Sequence, residues 1–298
     1  MTGIRTLRHL AIETPDVDAV RAFTTSFGLE ASERGDEVVL RCTGRDQDQI
    51  MVREGRHRQV HHAQFGVLPG QLGALQQQIE AAGVALVDAP AGSSEEGLWV
   101  RDPDGYLLHI VDEQPAPTRP YPDWPLNQGG RMERFDVAMW EHLPTAAMPR
   151  RLMHCLLFVS DQTASERFYL DALGLRLSDR VPGKATFLNG TEGDHHIFGL
   201  VQSNGPGLHH AAWEVDNLDS IVVGAEHMAR DGYRDGWGLG RHNLGSNYFH
   251  YVRGPRNLWF EYSCDIDQVT EAWVGKDQGG KPWAWGPPAP ADFTDNDA

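Results

Sequence analysis

His209-His210-Ala211-Ala212-Trp213-Glu214-Val215 repeats a pattern met earlier in the chain as His61-His62-Ala63-Gln64-Phe65-Gly66-Val67. In both places two histidines open an alternating apolar run, and a helix-like segment follows. Other segments echo in the same order. Arg8-His9-Leu10-Ala11-Ile12 matches Met153-His154-Cys155-Leu156-Leu157, and Trp99-Val100-Arg101-Asp102-Pro103 matches Tyr251-Val252-Arg253-Gly254-Pro255. Such self-similarity marks a duplicated architecture and tells which positions correspond. A duplicated unit that keeps histidines at strand starts directs the search to a metal site.

Working outward from these repeats, four units emerge. Residues 4–55 read as a strand (7–14), a helix (17–27) stopped at Gly28, and two or three short strands ending at 49–53. Residues 58–113 read as a strand (62–67), a helix (71–82) and a strand (97–111) folded back at the Asp102-Pro103-Asp104-Gly105 turn. Residues 150–202 repeat the first unit, with strand 154–159, helix 163–172, a stop at Gly174 and strands near 184–188 and 196–201. Residues 206–263 repeat the second, with helix 218–231 and strands within 247–262. Each unit reads β-α-β-β-β, which is an α+β pattern and not the right-handed βαβ crossover of a Rossmann sheet. Prolines between 115 and 125 begin a linker. The expected division is therefore an N-terminal two-module domain (1–135), a C-terminal two-module domain (150–265) and a tail (266–298). With Trp283, Trp285 and Pro287-Pro288, the tail reads as a strap across the surface that cannot continue a sheet.

At 298 residues there is room for two cores, and 40% hydrophobic with 23% charged residues is ordinary for a globular protein. A formal charge of −16 argues against nucleic acid, which requires a basic footprint. No apolar run is long enough to span a membrane, and the first residues lack a secretory segment. Three cysteines, Cys42, Cys155 and Cys264, show no C-x-x-C spacing, so the expected location is the reducing cytoplasm.

The second half holds residues suited to a transition metal. His154 and His210 open corresponding strands, and Glu261 sits in the last strand between Phe260 and Tyr262. Alternation puts His210, Ala212 and Glu214 on one face, so alanine leaves room beside the imidazole for an ion and a ligand. A carboxylate within an apolar strand requires a partner. Two neutral histidines and one carboxylate form a facial triad with three adjacent open positions, the arrangement of non-haem Fe(II) oxygenases. Fe(II) with one carboxylate keeps a net charge of +1, which suits a monoanionic substrate.

At this point the chain resembles the type I extradiol ring-cleavage (catechol 2,3-) dioxygenases of the vicinal oxygen chelate, or glyoxalase–bleomycin resistance–dioxygenase, superfamily. The resemblance covers nearly the whole chain and is most specific from His196 to Glu261. His196-Ile197-Phe198-Gly199-Leu200 through Asn204-Gly205-Pro206-Gly207-Leu208-His209-His210 follows the family pattern, and Gly240-Arg241-His242, Tyr251 and Glu261 follow its closing signature. The resemblance implies four βαβββ modules paired into two domains, each an incomplete mixed-sheet barrel. It also implies metal ligands His154, His210 and Glu261, with His210 chosen over His209, and an Fe(II) cofactor, Mn(II) suiting the same ligands. Catalytic residues would be His196 as proton acceptor and donor, with His195 pointing outward, and His242 (in a loop over 240–246) and Tyr251 as hydrogen-bond donors to the substrate oxygens. The implied partners are a catechol and O2, with a homo-oligomeric assembly. Trp213, Trp259 and the tryptophan-rich tail hint at a bulky substrate. Two departures occur: His250 precedes Tyr251, on the opposite face, and Gly254-Pro255-Arg256-Asn257 replaces the usual Asp-Pro-x-Gly turn, with asparagine able to adopt left-handed geometry.

Two other readings fit the same fold. One is a metal-dependent isomerase or lyase of the glyoxalase kind, which would need a second carboxylate where this chain has His62 or His109. The other is a non-catalytic protein that binds a small molecule. In the first half His9, His62 and His109 occupy the positions corresponding to the triad, where the resemblance implies no metal.

Overall fold

The computed structural model describes residues 2–113, 116–122, 125–191 and 193–296, so Pro115 of the proposed linker lies outside the described residues. The first half comprises β1 (Thr6–Thr14), α1 (Val17–Ser26), β2 (Glu30–Arg34), β3 (Glu37–Arg41), β4 (Asp48–Glu54), β5 (Gln59–Val67), α2 (Leu72–Ala81), β6 (Leu98–Arg101) and β7 (Leu107–Asp112). The second comprises β8 (Arg151–Val159), α3 (Gln162–Arg167, continued by a π turn over Phe168–Ala172), β9 (Arg176–Val181), β10 (Ala185–Asn189), β11 (Gly193–Asp194), β12 (Phe198–Gln202), β13 (Gly207–Glu214), α4 (Leu218–Arg230), β14 (Gly236–His242), β15 (Tyr248–Arg253) and β16 (Trp259–Cys264). The tail adds β17 (Gln268–Val269), β18 (Lys276–Asp277) and β19 (Trp283–Trp285).

Local chemistry explains the helix ends. Asp16, Asp161 and Asn217 cap α1, α3 and α4 by accepting hydrogen bonds from first-turn backbone N–H groups. Gly28 (φ +103°) and Gly174 (φ +67°) supply the left-handed stops that the sequence placed there.

A seven-stranded sheet runs β2-β3-β4-β1-β5-β7-β6, and a ten-stranded sheet runs β18-β9-β10-β12-β8-β13-β16-β15-β14-β19. Within each unit the first strand lies parallel beside the last: β1/β4, β5/β7, β8/β12 and β13/β16. The two units of each half meet through antiparallel first strands, β1/β5 and β8/β13. This mixed, strand-rich α+β architecture is the one expected, with one correction. The second unit has three strands instead of four, because 84–97 contributes only the isolated bridge Leu86↔Val100. That stretch contains Ala89-Pro90-Ala91-Gly92-Ser93, which has no alternating face to bury.

The tail also differs from expectation. β18 pairs in parallel with β9 at one edge of the ten-stranded sheet, and β19 pairs antiparallel with β14 at the other. Ten strands laid flat would span about 43 Å, yet the five residues joining β18 to β19 reach at most about 20 Å. The sheet must therefore curl until its edges approach one another, and the tail bridges the gap. Prolines do not prevent this, since they fall outside the paired residues and the added strands lie at edges.

The two halves share one core. Phe23 of α1 and Phe27 at its C-terminal cap pack on Phe260 of the second half, and the Phe27 ring stacks on Tyr262 at 3.8 Å. The Tyr262 hydroxyl donates to Phe27 O at 2.9 Å. The first half thus braces β16, the strand that carries Glu261, from behind. No helix among the described residues is long and apolar enough to cross a membrane.

Candidate metal centre

β8, β13 and β16 are neighbours, and their register decides the site. Ala212 on β13 lies opposite His154 on one side and Glu261 on the other. Cross-strand partners share a face, so His154, Glu261 and His210, two residues before Ala212, project together above a methyl group. The Nε2 atoms of His154 and His210 are 3.3 Å apart, and Glu261 Oε2 lies 3.3 Å and 3.4 Å from them. All three residues are buried. Trp213 and Phe260 alternate to the opposite face and pack together in the core.

Three electron-rich atoms at these separations fit a cation. The centre of such a triangle is about 1.9 Å from each corner, just inside usual metal–nitrogen and metal–oxygen bonds of about 2.0–2.2 Å. Glu261 Oε2 and His154 Nδ1 have no hydrogen-bond partner among the described residues. A buried carboxylate oxygen left in that state is costly unless a cation meets it. Burial by itself would raise the Glu261 pKa, but the imidazoles of His154 and His210 hold it well below the usual carboxylate range. Its other oxygen, Oε1, accepts a hydrogen bond from Asn247 Nδ2 at 3.0 Å, and Asn247 also donates to Ser263 Oγ at 2.8 Å. Sequence reasoning missed Asn247; it stands one residue before β15, with nothing in its neighbours to mark it.

The remaining predicted side chains gather around this cluster. His196 sets its ring 4.2 Å from that of His154 and edge-on to Phe187, and burial pushes its pKa well down. His242 Nε2 lies 3.0 Å from the Tyr251 hydroxyl, and its Nδ1 donates to Pro282 O of the tail at 2.9 Å. The His242 ring stacks on Phe249 at 4.0 Å. Two expectations need correction. His242 ends strand β14 and does not lie in a loop, because β14 pairs with β15 as far as Arg241 and the tail strand β19 pairs with His242 itself. His195 does not point outward: it is buried, with Nδ1 3.1 Å from His196 Nδ1 and Nε2 3.2 Å from Asp179 Oδ2.

His154, His210, His196, His242 and Tyr251 all border one cavity of about 510 Å³, whose other walls include Leu156, Phe187, Val201, Trp283, Pro290 and Phe293. Of the tryptophans read as signs of a bulky substrate, Trp283 lines this space. Trp213 and Trp259 instead pack against Phe260 and Phe293. His250 pairs across with Tyr262 while Tyr251 pairs with Glu261, which puts the extra histidine on the opposite face. Asn257 sits at φ +57°, the left-handed geometry expected of the turn, with Arg256 beside it at +55°.

In the first half, Arg53 lies 3.1 Å from His61 Nε2 and can only donate. His61 therefore carries its proton on Nδ1, facing His62 Nδ1 at 2.8 Å, and His62 meets His9 Nε2 at 2.9 Å through its own Nε2. His109 uses Nε2 on Glu96 O and Nδ1 on Gln64. These imidazoles bind one another and the protein. Among the described residues, His154, His210 and Glu261 form the one cluster of three potential metal ligands within reach of a common point.

Residues 151–262 match the family model described as the glyoxalase/bleomycin resistance protein/dioxygenase superfamily. The chain is 36% identical to metapyrocatechase 2 of Cupriavidus necator, covering 99% of this chain and 92% of that protein. It is 26% identical to an iron-dependent extradiol dioxygenase of Rhodococcus jostii strain RHA1, covering 92% and 94%. Its fold superposes on a crystal structure of the Mn(II)-bound glyoxalase from Novosphingobium aromaticivorans with a TM-score of 0.77, 22% identity and 100% and 98% coverage.

Proposed function

Since the chain belongs to the extradiol ring-cleavage dioxygenases of the glyoxalase/bleomycin resistance protein/dioxygenase superfamily, we propose that it opens a catechol beside its vicinal hydroxyls with O2, at Fe(II) held by His154, His210 and Glu261. The observation that carries this reading is the convergence of two imidazole nitrogens and one carboxylate oxygen, all buried, beside an apolar cavity. A divalent ion held there, with a net charge of +1 against Glu261, would supply Lewis acidity toward a bound diphenol and a redox partner for O2.

The other tasks fall to the chain's own side chains. His196 accepts a phenolic proton through Nε2 and later returns one, acting as general base and then as general acid. The Tyr251 hydroxyl and His242 Nε2 stand side by side, so one donates to a diphenol oxygen while the other accepts from it. Pro282 O keeps the His242 proton on Nδ1, so Nε2 accepts and does not donate to the substrate as the resemblance implied. Leu156, Phe187 and Phe293 exclude water, which strengthens every polar contact within the cavity. We assign the chemistry to residues 150–265 and a bracing role to residues 1–135.

Anaerobic addition of catechol to iron-loaded protein, followed by O2, tests the reading. The expected result is uptake of O2 and a yellow ring-fission product. Absence of uptake across a panel of alkyl and aryl catechols would overturn it. Side-by-side loading with Fe(II) and Mn(II) measures which ion supports turnover.

A further inference from the structure

His195 and His196 offer their Nδ1 atoms to each other at 3.1 Å, and a single proton must lie between them. Which ring owns that proton decides what His196 presents to the cavity. The far side of His195 supplies the answer. Its Nε2 lies 3.2 Å from Asp179 Oδ2, and Asp179 Oδ1 accepts from Lys276 N at 2.8 Å. An ionised carboxylate can only accept, so His195 carries its proton on Nε2 and leaves Nδ1 bare. The shared proton then belongs to His196 Nδ1, and His196 Nε2 is unprotonated.

We propose that Asp179 and His195 are positioning residues that fix the tautomer of His196, so that His196 offers an unprotonated Nε2 to the substrate. This rests on the reading of His196 as the group that takes the phenolic proton. The surroundings hold the pair in place. The Ser178 hydroxyl donates to His195 O, and His195 N donates to Asp267 O. The Trp273 ring meets the His195 ring edge-on at 5.3 Å. Gly245, at φ +85°, faces the shared contact: a Cβ there would stand 3.2 Å from His196 Nδ1 and 3.3 Å from His195 Nδ1. The first half makes the contrast, for its His61-His62 pair is anchored by Arg53, a donor, and so runs in the opposite sense. The same dipeptide is thus set by whether an acceptor or a donor stands behind it.

Asp179→Asn tests the proposal without changing the shape of the side chain. Lys276 N keeps the amide oxygen, so the NH2 group turns toward His195 Nε2 and reverses both protons. The expected result is a fall in kcat of about 30-fold or more, with KM for catechol and iron content unchanged within about threefold. His195→Asn places an amide oxygen where Nδ1 stood, so it retains kcat within about threefold, and Asp179→Asn has no further effect in that background. Ring 15N spectra of protein filled with diamagnetic Zn(II) should show His196 Nε2 bare in wild type and protonated in Asp179→Asn.

An unchanged kcat in Asp179→Asn, or an equal loss when His195 is already Asn, overturns the proposal. If Asp179→Asn fails to fold, His195→Leu compared with His195→Asn makes the same test, because only the leucine lacks an acceptor. His196→Phe separates the underlying reading: retained kcat there refutes His196 as the proton acceptor, whereas its loss beside an unaffected Asp179→Asn refutes the positioning role alone.

Discussion

Asn247→Ala should weaken metal binding without touching any ligand. Asn247 is fully buried and its amide nitrogen holds Glu261 Oε1 at 3.0 Å. His242 Nε2, at 3.8 Å from Oε1, is beyond hydrogen-bond range and does not replace it. A hydrogen bond to a charged group is worth roughly 1.5–3 kcal/mol, which corresponds to about 10–100-fold in affinity. Loss of a partner that orients a metal ligand typically costs the same 10–100-fold, so two independent arguments agree. The assay is anaerobic competition for Fe(II) against a chelator of known affinity. Metal-free protein is melted in parallel to register any general loss of stability. Ser263→Ala is the control, since it deletes the other partner of Asn247 and leaves the carboxylate contact intact. An Asn247→Ala protein that binds Fe(II) within about twofold of wild type, a difference below about 0.5 kcal/mol, would refute the claim that this amide orients the carboxylate.

Phe27→Ala removes the ring stacked on Tyr262 and should cost about 3–5 kcal/mol, read as a lowered urea midpoint. Because β16 loses its brace, iron affinity should fall as well; unchanged affinity would contradict the bracing role. Burial lowers the pKa of His9 to about 3, and burial with neighbouring positive charge lowers that of His62. Their folded pKa values lie below the unfolded value near 6.5, so the unfolded chain binds more protons below that pH. Their contribution is present above pH 6.5 and is lost as the pH falls, by about 1.4 kcal/mol per pH unit per histidine. Urea unfolding of metal-free protein from pH 7.5 to 4.5 checks this, and a flat profile would contradict it. Met132, Phe135 and Trp140 stand exposed on the connection between the halves, and the homo-oligomer that the sequence resemblance implies would cover such side chains. Light scattering should give a mass at least twice 33.2 kDa, and a mass of one chain would contradict it.

Much of this molecule was legible in the chain because its information is local or repeated. Alternating strands, helix caps and glycine stops depend on a few neighbouring residues. The duplicated histidine-bearing segments align four units, and the predicted site residues carried a signal: histidines in matching repeats, a carboxylate between two aromatics, a family spacing. His154 and His210 nonetheless stand fourth in β8 and β13, not at the strand starts expected, and Asn247 carried no signal. What folding decided is set by register and closure, which no local window encodes. Ala212 had to fall opposite both His154 and Glu261 for three side chains to share a point. The tail, read as a strap, became two edge strands because curling brought unpaired edges within its reach. That closure also delivered Pro282 O to His242 and Lys276 N to Asp179. Asn247, Phe27 and His195 meet their partners Glu261, Tyr262 and Asp179 only in the folded chain, since each partner is distant in sequence or on another strand. Pattern along the chain determined which residues were available for chemistry; pairing between strands determined what each of them faces.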